Sequence, residues 1–439
     1  MKSALRKIVL INTALLWALT FLAQAGDWRQ LAFPQGARIN QIAFNSRGHI
    51  FLNTWWYPVD SLLMDAEINR IERSTDQGGS WQTIFNYAWP SFSMAIDSAD
   101  NIYASKFEKV FKSTDNGASW QQLQATMPGV DVDGIAISPK GWIFIGSGPY
   151  RSLDTGKHWQ SLSLKTYVLQ FAFLSDGSIL AGAITGFGRH PSQAIFRSTD
   201  DGDTWNNVFN ADSTYDWSIV QDCQGIVYAA TCGFSPRFGG VYKSVDHGVN
   251  WTRISDSLQP GGFNSIAVNS LGHIVVGNNQ VGVFRSTNQG NNWNNVTSDL
   301  PDLRIQCLTV NNDNLYLGTG TSGFPTATTP KAAVYIRSTL TSVLDEGSEI
   351  PVAFDLKQNY PNPFNPVTRI SYSVPRSMEV TITIHDLLGR SVCTLLDHRL
   401  VQRGSYEAVF NASVFPSGTY FCTMHAGTKS RTTKLLLVK

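Results

Sequence analysis

A stretch of eight residues occurs six times along this chain. Ser74-Thr75-Asp76-Gln77-Gly78-Gly79-Ser80-Trp81 is the first copy. The others run from Ser113 to Trp120, Ser152 to Trp159, Ser198 to Trp205, Ser244 to Trp251 and Ser286 to Trp293. The shared pattern is Ser-x-Asp-x-Gly-x-x-Trp, with Asn288 replacing Asp in the last copy. The copies start 39, 39, 46, 46 and 42 residues apart. Self-similarity at such a period means stacked equivalent units, each too small to bury its own hydrophobic face.

The chemistry of the box is that of a turn. Asp and Ser side chains accept hydrogen bonds from N–H groups of their own turn. The Gly permits a left-handed backbone without a Cβ clash. The Trp opens the next strand and is large enough to wedge against a neighbouring sheet. Regular copies fit a scaffold, whereas one active site needs one special set. Asp76, Asp115, Asp154, Asp200, Asp246 and Asn288 are therefore read as structural, not as metal ligands or catalytic acids. Trp81, Trp120, Trp159, Trp205, Trp251 and Trp293 are read the same way.

Upstream of each box lies a hairpin. Ile42-Ala43-Phe44-Asn45-Ser46-Arg47-Gly48-His49-Ile50-Phe51 alternates apolar residues on both sides of a Gly-bearing turn. A third strand enters the box, as in Lys109-Val110-Phe111-Lys112-Ser113. A fourth leaves it, as in Trp120-Gln121-Gln122-Leu123. Four short strands per period predict the blades of a β-propeller. With 12% aromatic and 15% charged residues the chain suits sheets rather than helix surfaces, so helix content is expected to be very low. A seventh unit has its hairpin at Leu308 to Leu317 and its third strand at Val334 to Thr339. Leu340 then stands where Asp is due, and no Gly or Trp follows. The missing strand is matched by Trp28-Arg29-Gln30-Leu31. The fold class expected is all-β, a seven-bladed propeller closed by its N-terminal strand and followed by a smaller domain.

The boxes resemble the Asp-box (BNR) repeat of sialidases and related propellers. Sortilin-type receptors, xyloglucanase-like glycosidases and photosystem assembly factors carry similar boxes, so the resemblance implies a fold and leaves the activity open. Sialidases of this kind need three arginines for the substrate carboxylate, a Tyr–Glu pair and an Asp. Their Arg-Ile-Pro motif near the N-terminus is absent here, and Arg38, Arg189, Arg237 and Arg304 lack the family spacing.

Strand order places the boxes and the first hairpin turns at one end of the sheets. Connections between strands two and three, and between units, fall at the other end and vary most in length, where such scaffolds carry function. Aromatics gather there. Trp55, Trp56 and Tyr57 open the first long loop, Phe187 and Arg189 the fourth, and Phe234 and Arg237 the fifth. Trp89 and Trp217 fall between units. Aromatic faces with a few Asp and Arg suit sugar rings or an extended peptide. Packing of the loops on one another would use the same aromatics.

The preferred reading is a monomeric, non-catalytic protein that binds an extracellular polysaccharide or a surface protein. A glycoside hydrolase is the alternative. It needs two carboxylates roughly 5–9.5 Å apart, and Asp131 or Asp133 with Asp216 is the best pair at that end. A structural or adhesive envelope protein is the third reading. No cofactor or metal is expected. The 34 Lys and Arg balance 33 Asp and Glu, which offers nothing to nucleic acid.

Residues 1–25 read as a secretory signal peptide. Lys2, Arg6 and Lys7 form its positive end, and Ala23-Gln24-Ala25 its cleavage site. The propeller is expected over residues 26–340 and a polar linker over 341–349. Residues 350–439 contain strand-like segments punctuated by Gly389, Gly404 and Gly418, which suits a small immunoglobulin-like β-sandwich. The cysteines are odd in number: Cys223, Cys232, Cys307, Cys393 and Cys422. Cys223 and Cys232 fall at opposite ends of one predicted strand, which argues against pairing. Cys393 and Cys422 either pair within the last domain or remain buried thiols.

Gln358-Asn359-Tyr360-Pro361-Asn362-Pro363-Phe364-Asn365-Pro366-Val367-Thr368 resembles the opening of the type A C-terminal sorting domain of the type IX secretion system. Ile384-His385-Asp386-Leu387-Leu388-Gly389-Arg390 is similar to its central strand and turn, although His385 stands where members often have Tyr. Pro416-Ser417-Gly418-Thr419-Tyr420 and Lys434 to Lys439 are similar to its later hairpin and terminal strand. The resemblance implies that the type IX secretion machinery recognises residues 350–439 and carries the chain across the outer membrane. Removal of the domain and attachment at the cell surface are further expectations.

Overall fold

A computed structural model describes residues 28–33, 38–56, 68–88, 93–106, 109–123, 134–186, 192–211, 214–233, 239–258, 262–278, 280, 282–297, 300–311, 314–320, 332–338, 354–376, 378–401, 404–412 and 415–439. The apolar alternation around each hairpin becomes strand pairing. In the first sheet Arg38–Phe44, Ile50–Trp56, Ile68–Ser74 and Gln82–Ala88 lie antiparallel in that order. Ile42 pairs with Leu52 and Phe44 with Ile50, which fixes the register about the turn. Five more four-stranded sheets repeat the arrangement within 94–122, 136–161, 167–211, 214–253 and 265–295. No helix occurs among the described residues.

The seventh four-stranded sheet draws on both ends of the chain. Its order is Ile305–Asn311, Asn314–Thr319, Val334–Ser338 and then Arg29–Gln30. Arg29 pairs with Ile336 and Gln30 with Tyr335, as the Trp28 motif predicted. The Trp28 Nε1–H donates to the Val296 carbonyl of the sixth sheet at 3.0 Å. On the other side Leu31 packs against Gly78 of the first sheet, where an added Cβ would stand only 2.6 Å from Leu31 Cδ1. With φ at +88°, Gly78 also occupies a backbone region that L side chains rarely adopt.

The hydrophobic cores lie between sheets rather than inside them. Phe51 and Ile71 of the first sheet meet Met94 and Ile102 of the second. Tyr103 and Val110 of the second meet Ile143 and Ile145 of the third. Equivalent clusters join third to fourth, fourth to fifth, fifth to sixth and sixth to seventh. Another joins seventh to first, with Leu31, Val334, Ile39 and Leu52 in one cluster. Burying each such aliphatic side chain stabilises the fold by about 1.5–3 kcal/mol.

The last domain has its own core. Asp355–Leu356, Val367–Val374 and Gly404–Asn411 make one sheet. Ser391–Val401, Met378–His385, Gly418–Ala426 and Lys429–Leu437 make the other, in that order. Ile370, Tyr372 and Phe410 of the first face Val380, Ile384, Met424 and Leu435 of the second. The proline-rich opening is fastened to the terminal strand. Phe364 is buried, its N–H donates to Leu436 O at 2.9 Å, and Asn362 Oδ1 accepts the Leu436 N–H at 2.8 Å. One sequence expectation shifts: the strand in the fifth sheet is Val227–Gly233, so Cys223 sits in the turn before it and not at its end.

Candidate functional site

The two ends of the sheets differ in chemistry. At the box end, Ser74 Oγ accepts the Gly78 N–H at 2.8 Å and donates to Asp76 Oδ1 at 2.8 Å. Asp76 accepts the Ser80 N–H at 2.8 Å and the Ser80 hydroxyl at 2.6 Å. Ser113, Asp115, Gly117 and Ser119 repeat this. In the last copy Asn288 Oδ1 accepts the Asn292 N–H at 2.9 Å. The side chain and backbone of Ser80 hold the Asp76 carboxyl at about 2, and Ser119 does the same for Asp115. These carboxylates are ionised and occupied by their own turns, so they are poor proton donors near neutral pH.

Two further devices at this end escape the repeat pattern. The residue before the box Gly is left-handed: Gln77, Asn116, Thr155, Asp201, His247 and Gln289 all have φ between 55° and 62°. A basic residue precedes each box Ser, and in four of the copies it reaches the next sheet. Arg73 Nη1 donates to the Asn116 carbonyl at 2.6 Å, Arg151 Nη1 to Asp201 O at 2.6 Å, and Arg197 Nε to His247 O at 2.9 Å. Lys243 Nζ donates to Gln289 Oε1 at 3.1 Å. The sequence signal was present, since Arg73, Lys112, Arg151, Arg197, Lys243, Arg285 and Arg337 all occupy this position.

Neighbouring first-hairpin turns also join here, with Ser46 Oγ donating to Asp100 Oδ2 at 2.6 Å. In the fifth sheet the turn acid is buried. Asp222 Oδ1 accepts the Gln224 and Ile226 N–H groups at 2.9 Å, while its Oδ2 finds no partner. Burial pushes this carboxyl up to about 6, against those hydrogen bonds and the pull of Lys243.

The opposite end is uneven. The innermost strands of the first, fourth, fifth and seventh sheets are Arg38–Phe44, Tyr167–Phe173, Thr214–Gln221 and Ile305–Asn311. Those of the second, third and sixth are Met94–Ile96, Ala136–Ile137 and Ser265–Val268. All end at equivalent box-end turns, so the extra length of the four long ones lies at the loop end. Each long strand also carries a register shift, between Ile39 and Gln41, Val168 and Gln170, Tyr215 and Trp217, and Ile305 and Cys307. Such shifts re-aim side chains near functional edges.

Of the candidates, Trp55 is half-buried on the second strand of the first sheet. Trp217 belongs to the core: it is 6% exposed, and a Cβ at Gly182 would meet it at 2.7 Å. The sequence placed it between units, but it lies within the strand Thr214–Gln221, paired with Thr231 beside a register shift. Asp216 is the residue bypassed by that shift, between the pairs Tyr215–Cys232 and Trp217–Thr231. Tyr57, Trp89, Asp131, Asp133, Phe187, Arg189, Phe234 and Arg237 lie outside the described residues, as do the side chains of Trp56 and Asp216. Arg304 is engaged by Asp302, with two contacts of 2.8 Å from Nε and Nη2. An open depression of about 350 Å³ along the boundary of the third and fourth sheets is lined by Lys165, Thr166, Thr185, Phe196 and Trp205. No residue of it was singled out as a ligand contact in the sequence. Among the described residues no group of His, Cys, Asp and Glu is placed to hold a metal ion.

Residues 358–439 match the family model described as the secretion system C-terminal sorting domain. No curated protein matches the chain. Among solved structures, the chain is similar to PorZ, an essential bacterial surface component of the type IX secretion system of Porphyromonas gingivalis. The identity is 14% and the TM-score 0.50, over 94% of this chain and 61% of that one. It is similar to a fungal alcohol oxidase of the AA5 family in complex with copper, at 11% identity and TM-score 0.56, over 94% of this chain and 100% of that one. It is also similar to a GH74 enzyme of Niastella koreensis, at 16% identity and TM-score 0.50, over 94% and 74%. At these identities the likeness is one of fold. The sorting domain places the protein outside the cell or on its surface and implies interaction with the secretion system.

Proposed function

We propose that residues 26–340 form a closed seven-bladed β-propeller, that residues 350–439 form an immunoglobulin-like sorting domain, and that the exported propeller binds an extended polymer without cleaving it. An extracellular polysaccharide or a surface protein would serve as that polymer. The cyclic succession of inter-sheet cores supports the ring.

The observation that carries the binding reading is the unevenness of the loop end. The long innermost strands belong to two adjacent pairs of sheets, seventh with first and fourth with fifth. The short ones lie between these pairs on either side. Two raised walls with a low passage between them suit a chain laid across the face, entering over the sixth sheet and leaving over the second and third. Trp55, with Trp56, Tyr57, Trp89, Phe187, Arg189, Phe234 and Arg237 from the connections, would contact it. Aromatic rings stack on sugar faces and also grip extended peptides. The box carboxylates are spent on their own turns and add no chemistry at the other end.

The test is a glycan array run on the full chain beside product analysis on the same polysaccharides. Binding with no new reducing ends supports the reading. New reducing ends that vanish in Asp216→Asn would establish the hydrolase instead, with Asp131 or Asp133 as the second carboxylate. Absence of glycan binding, with capture of a cell-surface protein by the propeller, would select the protein ligand.

A further inference from the structure

The sequence left the cysteines with two open outcomes, and the sheet order removes one. Ile384 pairs with Cys393 on one side and with Cys422 on the other. The two cysteines are therefore separated by a whole strand. Neighbouring strands lie about 4.7–4.9 Å apart, so two strands span roughly 9–10 Å. A disulfide needs its Cα atoms within about 7 Å. Cys393 and Cys422 cannot pair without taking the sheet apart.

Cys393 has another neighbour. Cys223 lies in the first-hairpin turn of the fifth sheet, next to Asp222, and is half-buried. It packs against the core of the last domain, together with Leu271 from the matching turn of the sixth sheet. The core cluster against which Cys223 packs contains Cys393, and Cys223 is the neighbour that pushes the Cys393 thiol up most. Cys232 and Cys307 are held elsewhere. Cys232 Sγ lies against Gly262, and Cys307 Sγ approaches the Ile39 carbonyl at 3.5 Å. None of the five cysteines is in a disulfide in this structure, and Cys223 with Cys393 is the pair that meets between the propeller sheets and the last domain.

We propose that Cys223 and Cys393 become a disulfide during export and bond the sorting domain covalently to the fifth sheet. Export takes the chain out of the reducing cytosol, and the cell envelope is where such bonds form and persist. The oxidant is a donor disulfide on an envelope thiol oxidoreductase. The half-exposed Cys223 thiolate attacks one donor sulfur, and the other donor sulfur leaves and takes up a proton. The Cys393 thiolate then attacks the Cys223 sulfur of the mixed disulfide and expels the remaining donor sulfur, which is also protonated. Two electrons and two protons pass from the cysteine pair to the donor. The neighbouring Cys223 and burial push the Cys393 thiol up, so exchange is slow once the domains have docked. A consequence follows for processing: cleavage in the linker at 341–349 would leave the sorting domain attached until the bond is reduced.

The test uses the full chain recovered from the surface or medium of its host, with free thiols blocked at harvest. Peptide mass spectrometry without reductant is expected to find a linked pair containing Cys223 and Cys393, which disappears on reduction. Limited proteolysis in the linker should give fragments that migrate together without reductant and apart with it. Cys223→Ser should abolish both results, and because Cys223 is half-buried in a turn this variant remains informative if Cys393→Ser fails to fold. Recovery of both cysteines as blocked thiols, or separation of the fragments without reductant, would overturn the proposal.

Discussion

Six of the sheets carry a box on one continuous stretch of chain, while the seventh takes its outer strand from the other end of the molecule. The comparison separates two jobs that the box combines. One is the Ser-Asp turn. The other is the wedge that ties a sheet to its predecessor. Trp120 Nε1 donates to Ile84 O at 2.9 Å and Trp293 Nε1 to Ile254 O at 2.8 Å. Trp28 makes the same contact with Val296 O at 3.0 Å, with no Ser-Asp turn before it in sequence. Leu31 meets Gly78 as Ile84 meets Gly117. The seventh sheet therefore keeps, without the turn, the contact that the second and sixth sheets make with their predecessors, whereas Trp205 and Trp251 donate to Gly202 and Gly248 of their own boxes.

Removing residues 26–33 should have the largest effect. It takes away Trp28 and Leu31 and uncovers the edge of Val334–Ser338. Loss of cooperative thermal unfolding is expected. A truncated chain that melts like the intact one would break the equivalence. Trp28→Ala and Trp120→Ala sharpen it. Both remove a Trp that hydrogen-bonds the preceding sheet, so each should cost about 3–5 kcal/mol in denaturant unfolding. A cost at Trp120 with none at Trp28 would show that the seventh sheet is held differently.

Two acids give smaller effects of opposite sign. The Asp222 carboxyl is raised from 3.8 to about 6 by burial. Its contribution to stability is fully present below about 3.8 and lost as pH rises through about 6. Asp222→Asn keeps an Oδ1 acceptor for Gln224 and Ile226 and should stabilise the protein at pH 7.5, by up to about 3 kcal/mol. An unchanged midpoint at pH 7.5 would count against a buried charge there. Asp115 is lowered to about 2 by the side chain and backbone of Ser119. Its contribution is present above 3.8 and lost as pH falls through about 2. Asn288 already stands in for Asp in one copy. Asp115→Asn should therefore be nearly neutral at pH 7 and should remove part of the acid destabilisation. A folded variant that has lost ligand binding would contradict the structural role of the box.

Much of the repeated architecture was legible because it rests on local rules. Alternation gave the hairpins, and the Trp motif gave the N-terminal strand its place. The cation before each box Ser was equally visible, but the reach of Arg73 to Asn116 or of Arg151 to Asp201 depends on a carbonyl in the next sheet, some 40–50 residues on in sequence. Trp217 was misplaced between units because the sequence does not show that the strand Thr214–Gln221 begins before it, with a register shift inside. The strand Ser391–Val401 is not legible in the sequence because its middle, Leu395-Leu396-Asp397-His398, shows no clean period of two. The uneven loop end was invisible for the same reason: where strand pairing stops is decided by the neighbouring sheets, not by local composition.

The most direct measurement is amide hydrogen exchange of the intact chain, followed by peptide mass spectrometry. Val334–Ser338 and Lys109–Ser113 are both third strands, one covered by the N-terminal strand and the other by the continuous strand at Gln121–Gln122. Equal protection of the two segments is the predicted result. Rapid exchange in Val334–Ser338 beside slow exchange in Lys109–Ser113 would mean that the seventh sheet has an open edge, and the ring would not be closed by the N-terminal strand.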